Sequence, residues 1–197
     1  MVLGVIGLVA SLLLPALSKV NGSGQARTCM NHLRQLGLAT AMYADDFHDR
    51  LPGSAHNGYS WIAGLREYST TNVYRCPTDP SQRFYSFALN DFLLPHAVAE
   101  RDFTKFTSIP AITDTILITE KADAYSGGDH FHFADPYDGG YQPPLFIAQV
   151  AVTRHNSGAN YLFTDTHVDQ ISWLTVQTLL MNTGSRFIHP TGHASKE

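Results

Sequence analysis

The opening segment constrains the fold of this chain more than any other stretch. Residues 1–18 read MVLGVIGLVASLLLPALS, and the first charged side chain is Lys19. Apolar residues cover every face of a helix built from this segment, which is typical of a helix surrounded by lipid or by other helices. The segment is slightly shorter than the roughly 20 apolar residues of a membrane span. We predict a helix inserted in a membrane or packed in a filament, with a buried core helix as the alternative.

The same segment differs from a secretory signal peptide. It has neither a basic n-region nor an Ala-x-Ala cleavage site. Proline inside it predicts a kink, because proline removes one backbone hydrogen bond and clashes with the preceding turn. The residues that we expect to carry assembly through this helix are Val5, Leu8, Leu12, Leu13 and Pro15.

A second helical segment follows a predicted break. The stretch NGSGQAR at 21–27 contains two glycines and a serine, which predicts a break near 21–24. From about 28 to 47, three- and four-residue steps connect Cys29, Leu33, Leu36, Ala39 or Thr40, Tyr43 and Phe47. This spacing predicts an amphipathic helix that lies on a sheet. We therefore divide the chain into an N-terminal helix at 1–48 and a globular head at 49–197.

Composition limits the classes of function. Only 15% of the 197 residues are charged, whereas about a quarter is usual in soluble proteins, and this favours an extracytoplasmic domain. The net charge is −4 and no basic block occurs, so we expect no nucleic-acid binding. Phosphate-binding and dinucleotide fingerprints are missing from the sequence. Neither cysteine has a catalytic signature around it, so we do not expect an enzyme.

The two cysteines, Cys29 and Cys76, are candidates for a disulfide. In an oxidising compartment they would pair, and closing a loop of about 48 residues would stabilise the fold by roughly 4 kcal/mol. The alternative is a pair of unrelated buried thiols, and the sequence leaves both interpretations open.

Two strands are predicted in the middle of the chain, YSFALN at 85–90 and TILITE at 115–120. Residues 121–150 are predicted to be a long loop, because their first 26 residues are rich in glycine, proline and aromatic side chains. The last residues, 182–197, read as a loosely held tail.

Acidic and histidine side chains within the long loop suggest a metal site: Asp129, His130, His132 and Asp135. Two histidines two residues apart project to one side when the backbone is extended. A decorated surface loop is the simpler interpretation. The exposed aromatic residues of this loop also suit contact with a sugar or a neighbouring subunit.

Residues 154–171 predict a β-hairpin. Ala159–Phe163 and His167–Ile171 are the predicted strands, with Asp165 and Thr166 at the tip. A two-residue hairpin turn needs positive φ at both positions, which disfavours a β-branched residue. Thr166 therefore predicts a longer turn or local strain.

Polar side chains at the ends of this hairpin allow three interpretations. We favour His155 and Asp165 bonding each other or nearby backbone, which would pin the hairpin to the sheet. A divalent ion could instead be held by His155, Asp165 and His167. The third is calcium held by Asp165, Asp169 and backbone carbonyls.

Four stretches, in order, resemble landmarks of one family: LLLPALSK (12–19), CMNHLRQLGLATAMYADDFHDRLP (29–52), YRCPTDP (74–80) and RHNSGANYLFTDTHV (154–168). They are similar to those of the type II secretion pseudopilin-like proteins abundant in Planctomycetes, Verrucomicrobia and Lentisphaerae. That family carries a prepilin-type N-terminal segment and a C-terminal motif of His, nine residues, Asp-Gly. His155 and Asp165 keep this spacing, but Thr166 stands where the family has glycine.

The family's basic leader and its Gly-Phe-Thr-Leu-Ile-Glu sequence have no counterpart before Met1. We expect either a start further upstream or a truncated copy.

The resemblance implies an α+β, pilin-like fold, with a long N-terminal helix packed on an antiparallel β-sheet head with long loops. It implies a structural subunit of a type II secretion or type IV pilus-like filament. Its partners would be further copies, other pilin-like subunits and the inner membrane, with the head in the periplasm or outside the cell. Some pseudopilins use calcium to order C-terminal loops, so calcium or another divalent metal is the expected cofactor, if any. The alternative is an extracytoplasmic, metal-supported module that binds a polysaccharide or a secreted protein.

Overall fold

One continuous helix, α1 (Val2–Asp46), forms the N-terminal part of the protein. The structure, a computed structural model, describes residues 2–55, 58–95, 102–132, 143–182 and 184–192, with the side chains of α1 from Asn21 onward. The predicted break near 21–24 is wrong, because the helix passes through both glycines there. A helical glycine costs only about 1 kcal/mol, and hydrogen-bonded turns on both sides offset that cost. In the described part of the chain, no helix has the length and apolar character that crossing a membrane requires.

The C-terminal half of α1 packs on the sheet through one stripe, as predicted. The buried residues of this stripe are Ala26, Cys29, Leu33, Leu36, Ala39, Thr40 and Ala44. Phe47, predicted to continue it, is 47% exposed, because the helix has already ended. Asp49 N donates to Ala44 O at 2.8 Å, and His48 and Asp49 have positive φ. The helix therefore ends with residues in the left-handed conformation, a common helix C-cap.

Five strands form one mixed sheet: β1 (Phe87–Asn90), β2 (Ile116–Glu120), β3 (His130–Phe131), β4 (Gly158–Phe163) and β5 (Val168–Ser172). Their order is β3-β1-β2-β4-β5. The predicted α+β class is confirmed. The prediction of a purely antiparallel sheet is wrong at β3, which runs parallel to β1. After β2 the chain reverses direction and pairs with the outer edge of β1. Since β1 also runs opposite to β2, β3 is parallel to β1.

Helices cover both faces of this sheet. Helix α1 and the short helix α2 (Trp61–Gly64) lie over one face, around Trp61, Leu65 and Tyr74. The other face carries α3 (Pro143–Gln149), α4 (Trp173–Met181) and the segment after α4. The predicted long loop thus contains β3 and α3, and its residues 133–142 lie outside the described part.

The C-terminal segment is packed where the sequence predicts a loose tail. Phe187 and Ile188 are 3% and 2% exposed. Ile116 N donates to Phe187 O at 2.9 Å, and Asn90 Nδ2 donates to Ile188 O at 2.7 Å. The prediction of a loose tail is therefore wrong up to about Ile188, because two buried apolar side chains and hydrogen bonds to β1 and β2 hold the segment. Residues 193–197 lie outside the described part.

The tip of the β4–β5 hairpin combines a longer turn with a strained residue. Thr166 N donates to Phe163 O at 3.0 Å, and Phe163 N donates to His167 O at 2.9 Å. Thr166 has a φ of 75°, as in three-residue loops whose last residue is left-handed. Helix α1 meets this tip at Gly37, where a Cβ would lie 2.9 Å from Leu162 Cδ1 and 3.2 Å from Thr166 Cβ.

Gly37→Ala tests this close approach of helix and hairpin. Overpacking of about 1–3 kcal/mol outweighs a helix-propensity gain of about 1 kcal/mol, so we expect a lower free energy of unfolding in denaturant titrations. Gly22→Ala is the matched control in the same helix, because nothing described lies within 4 Å of its Cβ. Equal effects of the two substitutions would contradict the packing.

Thr166→Gly tests the strain at the tip. A non-glycine residue in the left-handed conformation destabilises the fold by about 1–2 kcal/mol, and glycine removes this strain. The greater freedom of glycine in the unfolded chain opposes the gain by about 0.5–1 kcal/mol. We expect the free energy of unfolding to rise by up to about 1 kcal/mol. In the control Thr164→Gly it should fall, because the Thr164 hydroxyl donates to Ile112 O at 2.7 Å. A loss of stability in Thr166→Gly would rule out the strain.

Candidate metal centre

Four side chains with metal-ligating atoms meet where α1 crosses the sheet, and we call them the buried cluster: Cys29, Cys76, Glu120 and His155. They come from α1, from the turn after the 3₁₀ helix Thr71–Tyr74, from the end of β2 and from the turn before β4. Each is at most 3% exposed. One donor atom from each lies within 4.8 Å of all the others. Segments far apart in sequence therefore present two sulfurs, a nitrogen and an oxygen to one point.

A proline turn positions Cys76. Asp79 N donates to Cys76 O at 3.1 Å, so Cys76–Asp79 is a β-turn with Pro77 at its second position, where its fixed φ is favourable. The Thr78 hydroxyl lies 3.1 Å from the Cys76 sulfur. The sequence Cys-Pro-Thr-Asp thus turns the thiol inward and gives it a polar neighbour.

A tight two-residue turn positions His155. His155 N donates to Gly158 O at 2.7 Å and Gly158 N donates to His155 O at 3.1 Å. Asn156 and Ser157, between them, have φ of 49° and 72°, as in a type I′ turn. Gly158 is required, because a Cβ there would lie 2.5 Å from Ile171 O. This turn fixes the His155 backbone at the open end of the hairpin.

Close contacts connect the four members of the buried cluster. The Cys29 thiol donates to Glu120 Oε1 at 2.6 Å, and His155 Nε2 lies 2.8 Å from the same oxygen. The Cys76 sulfur lies 3.5 Å from His155 Nε2. Asn160 N donates to the other carboxylate oxygen, Glu120 Oε2, at 3.3 Å. Glu120 Oε1 and His155 Nε2 are therefore each approached by two other members of the cluster.

Burial and mutual contact shift the titration of these groups. Burial raises the pKa of Glu120 and that of Cys29. The hydrogen bond with Cys29 lowers the pKa of Cys76 against the effect of burial. Burial alone lowers the pKa of His155, but its hydrogen bonds to Cys76 and Glu120 outweigh this and raise it to about 9. Burial and hydrogen bonding therefore act in opposite directions on the pKa values of Cys76 and His155.

The buried cluster does not have the geometry of a thiol nucleophile. In a nucleophile–histidine–acid triad the acid bonds the ring nitrogen opposite the nucleophile. Here Cys76 and Glu120 both approach Nε2 of His155. All these groups are also buried, so substrate has no described path to the sulfur. Four donor atoms that lie within 4.8 Å of one another are instead the arrangement of ligands around one metal ion.

The two cysteines are neighbours but are not bonded to each other. Both are buried free thiols in this structure, and their sulfurs lie within 4.8 Å of each other. The structure thus brings together the pair that the sequence suggests, and it adds Glu120 and His155 between them.

A second group of ligand atoms lies at the edge of the sheet, and we call it the edge cluster: Asp91, His130 and His132. Pairing of β3 with β1 sets Leu89 opposite His130, which brings Asp91 to both histidines. His132 Nδ1 lies 2.9 Å from Asp91 Oδ2, and the two Nε2 atoms lie 3.2 Å apart. The hydrogen bond with Asp91 raises the pKa of His132 despite partial burial. The side chain of His132 is 38% exposed, whereas His130 is buried, so solvent reaches this cluster on the His132 side.

Asp129, suggested as a ligand in the same loop, has other partners. Its carboxylate accepts hydrogen bonds from Ser60 Oγ and from Ala55 N, at 3.2 Å for the latter. Its backbone carbonyl accepts from Trp61 Nε1 at 2.7 Å. Asp129 therefore anchors the loop to α2, while Asp135 lies outside the described residues.

The ligand set suggested for the hairpin is divided by the structure. His155 belongs to the buried cluster, whereas Asp165, His167 and Asp169 lie near the tip. Strand β4 separates His155 from Asp165, and at about 3.3 Å per residue this is roughly 20 Å. Asp165 accepts from His167 N at 3.0 Å, and His167 Nε2 lies 3.9 Å from Asp169 Oδ2. The favoured pairing of His155 with Asp165 is therefore not formed, and each pins its own end of the hairpin.

The sequence analysis missed two site residues, Asp91 of the edge cluster and Glu120 of the buried cluster. Glu120 ends TILITE, a strand of otherwise uncharged residues, and it is fully buried. A carboxylate is almost never fully buried unless it is paired or binds a metal. That one charge at the end of a β-branched strand is the signal that could have found it.

Comparisons with known proteins found no relative of this chain. No protein-family model, no curated protein and no solved structure matches it. The roles of the two clusters are therefore argued from their own geometry and donor chemistry.

Proposed function

We propose that this protein is a structural subunit of a pilin-like or pseudopilin-like filament, held in a membrane or among sister subunits by α1. The observation that carries the proposal is the single 45-residue helix whose C-terminal part packs on the sheet of the head. The resemblance described above supplies the filament type, and the helix supplies the physical means of assembly.

The N-terminal part of α1 supports this role. Ala26 is the first described residue of α1 that is buried, and its carbonyl accepts from Asn160 Nδ2 at 3.2 Å. The 24 helical residues before it extend about 36 Å at 1.5 Å per residue. Their sequence is uncharged up to Lys19, and burial of such apolar surface away from water is favourable at about 25 cal/mol per Å². Lipid or neighbouring helices provide that burial.

The outer face of α1 beside the head also supports assembly. Leu38 and Met42 are 61% and 53% exposed, one helical turn apart on the same face. These apolar side chains lie opposite the stripe that packs on the sheet. In a filament they would extend the helix–helix contact from the N-terminal segment to the level of the head.

Leu13→Asp tests assembly through α1. A carboxylate at the centre of an apolar helix costs about 2.5–3.5 kcal/mol in a bilayer, so we expect the variant to leave the membrane or filament fraction. Sedimentation of cell fractions and electron microscopy measure this. The matched control Leu13→Met keeps the side chain apolar and should fractionate like the wild type.

The head provides an internal check on this experiment. The free energy of unfolding of the head should be equal in Leu13→Asp and the wild type, because the described packing of α1 begins at Ala26. A variant that assembles normally, with an intact head, would remove α1 as the assembly element.

The edge cluster favours a second candidate function, a metal-supported binding module. Two histidines and a carboxylate that leave further positions open are a usual ligand set for zinc and other transition metals at sites that also bind another molecule. The cluster lies at the start of the long aromatic-rich loop, the segment that the sequence suggests for sugar or protein contact. The β4–β5 hairpin does not join this site, since β3 and β5 are opposite edges of the sheet.

Titration of the protein with Zn²⁺ in a calorimeter tests the edge cluster. We expect one exchangeable Zn²⁺ ion in the wild type. The affinity for Zn²⁺ should be at least tenfold weaker in His132→Ala, because removing even an outer partner of a metal ligand typically weakens metal affinity tenfold or more. His167→Ala is the matched control, because His167 is also a partly exposed histidine beside a carboxylate. Equal affinities of the two variants would exclude the edge cluster as the binding site.

A further inference from the structure

We propose that the buried cluster is a structural zinc site with four protein ligands. It differs from the edge cluster, and it does not depend on filament assembly. Its ligands are two sulfurs, one imidazole nitrogen and one carboxylate oxygen, supplied by Cys29, Cys76, His155 and Glu120.

The spacing of the donor atoms suits one tetrahedral ion. With Zn–S of about 2.3 Å and Zn–N of about 2.0–2.1 Å, a tetrahedral ion separates sulfur from nitrogen by about 3.6 Å. The Cys76 sulfur and His155 Nε2 are 3.5 Å apart. Glu120 Oε1 lies closer to its neighbours, 2.8 Å from His155 Nε2 and 2.6 Å from the Cys29 sulfur. Shifts of the carboxylate by about 1 Å or less bring these separations to tetrahedral values.

Charge in a dry environment supplies the second argument. The cluster holds a carboxylate and two ionisable thiols at one point, and the two cysteines belong to the apolar core that α1 shares with the sheet. Burial of an anion without a compensating cation is strongly unfavourable. Arg154 interacts electrostatically with Glu120, but its guanidinium bonds Lys121 O and Asp123 instead of a donor atom of the cluster. One imidazolium cannot give a well-placed proton to both the Cys76 sulfur and Glu120 Oε1, because both approach the same nitrogen. A divalent ion at the centre contacts all four donors and neutralises the anions.

Donor chemistry selects zinc. Thiolates favour zinc over calcium and magnesium, whose ligands are oxygens. Four protein ligands without an open position indicate a structural rather than a catalytic ion. The outer contacts of the cluster fit this role: Asn160 N donates to Glu120 Oε2, and Gln170 Nε2 donates to the His155 carbonyl at 2.9 Å. Such outer contacts orient the ligands of metal sites.

The ion would join α1 to the head at one point. One ligand lies on α1 and three lie on separate segments of the head, so the ion adds coordinate bonds to a contact that is otherwise mainly apolar. A disulfide between the two cysteines would exclude it, because the same sulfurs cannot serve both. The two outcomes are therefore distinguishable by thiol and metal content.

Metal analysis of the full-length protein, purified without chelator, tests the site. After dialysis that removes exchangeable metal, we expect one zinc per chain in the wild type and in the control His167→Ala. In competition with a zinc chelator, we expect Cys29→Ser, Cys76→Ser and His155→Ala to bind zinc at least tenfold more weakly than the wild type, since losing a direct ligand costs at least as much affinity as losing an outer partner. Wild-type zinc affinity in the cysteine variants would overturn the proposal.

A measurement on the wild type keeps the test valid if the ligand variants do not fold. Stepwise modification of the thiols with a mercurial reagent should release one zinc for every two thiols modified. In a separate sample unfolded in denaturant with chelator and without reductant, both thiols should react with a thiol reagent. Metal-free protein, or protein whose two thiols appear only after reduction, would overturn the site in favour of free thiols or a disulfide respectively.

Discussion

The contact of the α1 stripe with β4 and β5 organises the rest of this structure. It requires a helix without a side chain at Gly37, a buried Leu162 on β4 and a turn that places Thr166 directly against the helix. The hairpin accepts a left-handed threonine there because the two strands and the helix together over-determine the turn. The same contact carries Cys29 to the ends of β2 and β4, so the buried cluster is a consequence of how helix and sheet meet.

Periodicity predicted the elements whose partners are local or strongly patterned. The three- and four-residue steps of the α1 stripe, the β-branched β2 and the two strands of the hairpin were all visible in sequence. The break near 21–24 was not real, because glycine signals a possible break but neighbouring helical turns decide it. The parallel β3 was also not predictable, since two residues carry no periodicity and they pair with β1, which is not the preceding strand. The packed segment around Phe187 depends on the same long-range contacts.

For the candidate sites too, the sequence predicted single residues but not the long-range contacts between them. The sequence suggested the two cysteines as a pair and His155 as a ligand, but it assigned His155 to Asp165 through a nine-residue spacing. A strand of six residues lies between them. At about 3.3 Å per extended residue, this strand holds His155 and Asp165 too far apart to contact each other. The actual neighbours of His155 come from β2 and from a turn about 80 residues earlier. Only the buried charge of Glu120 marked that position in the sequence.

A subunit that assembles through one helix must transmit any load on that helix to its head. An apolar stripe resists separation through buried area, but it resists sliding less well, because the hydrophobic effect is not directional. Directional bonds at one point remove that freedom. Cys29 of the buried cluster lies on the first turns of α1 that contact the head, where a pull along the helix arrives first. Four coordinate bonds there, from α1, the Cys76 turn, β2 and the His155 turn, would fix the register of the helix against the sheet and connect the proposed zinc site to the proposed structural role.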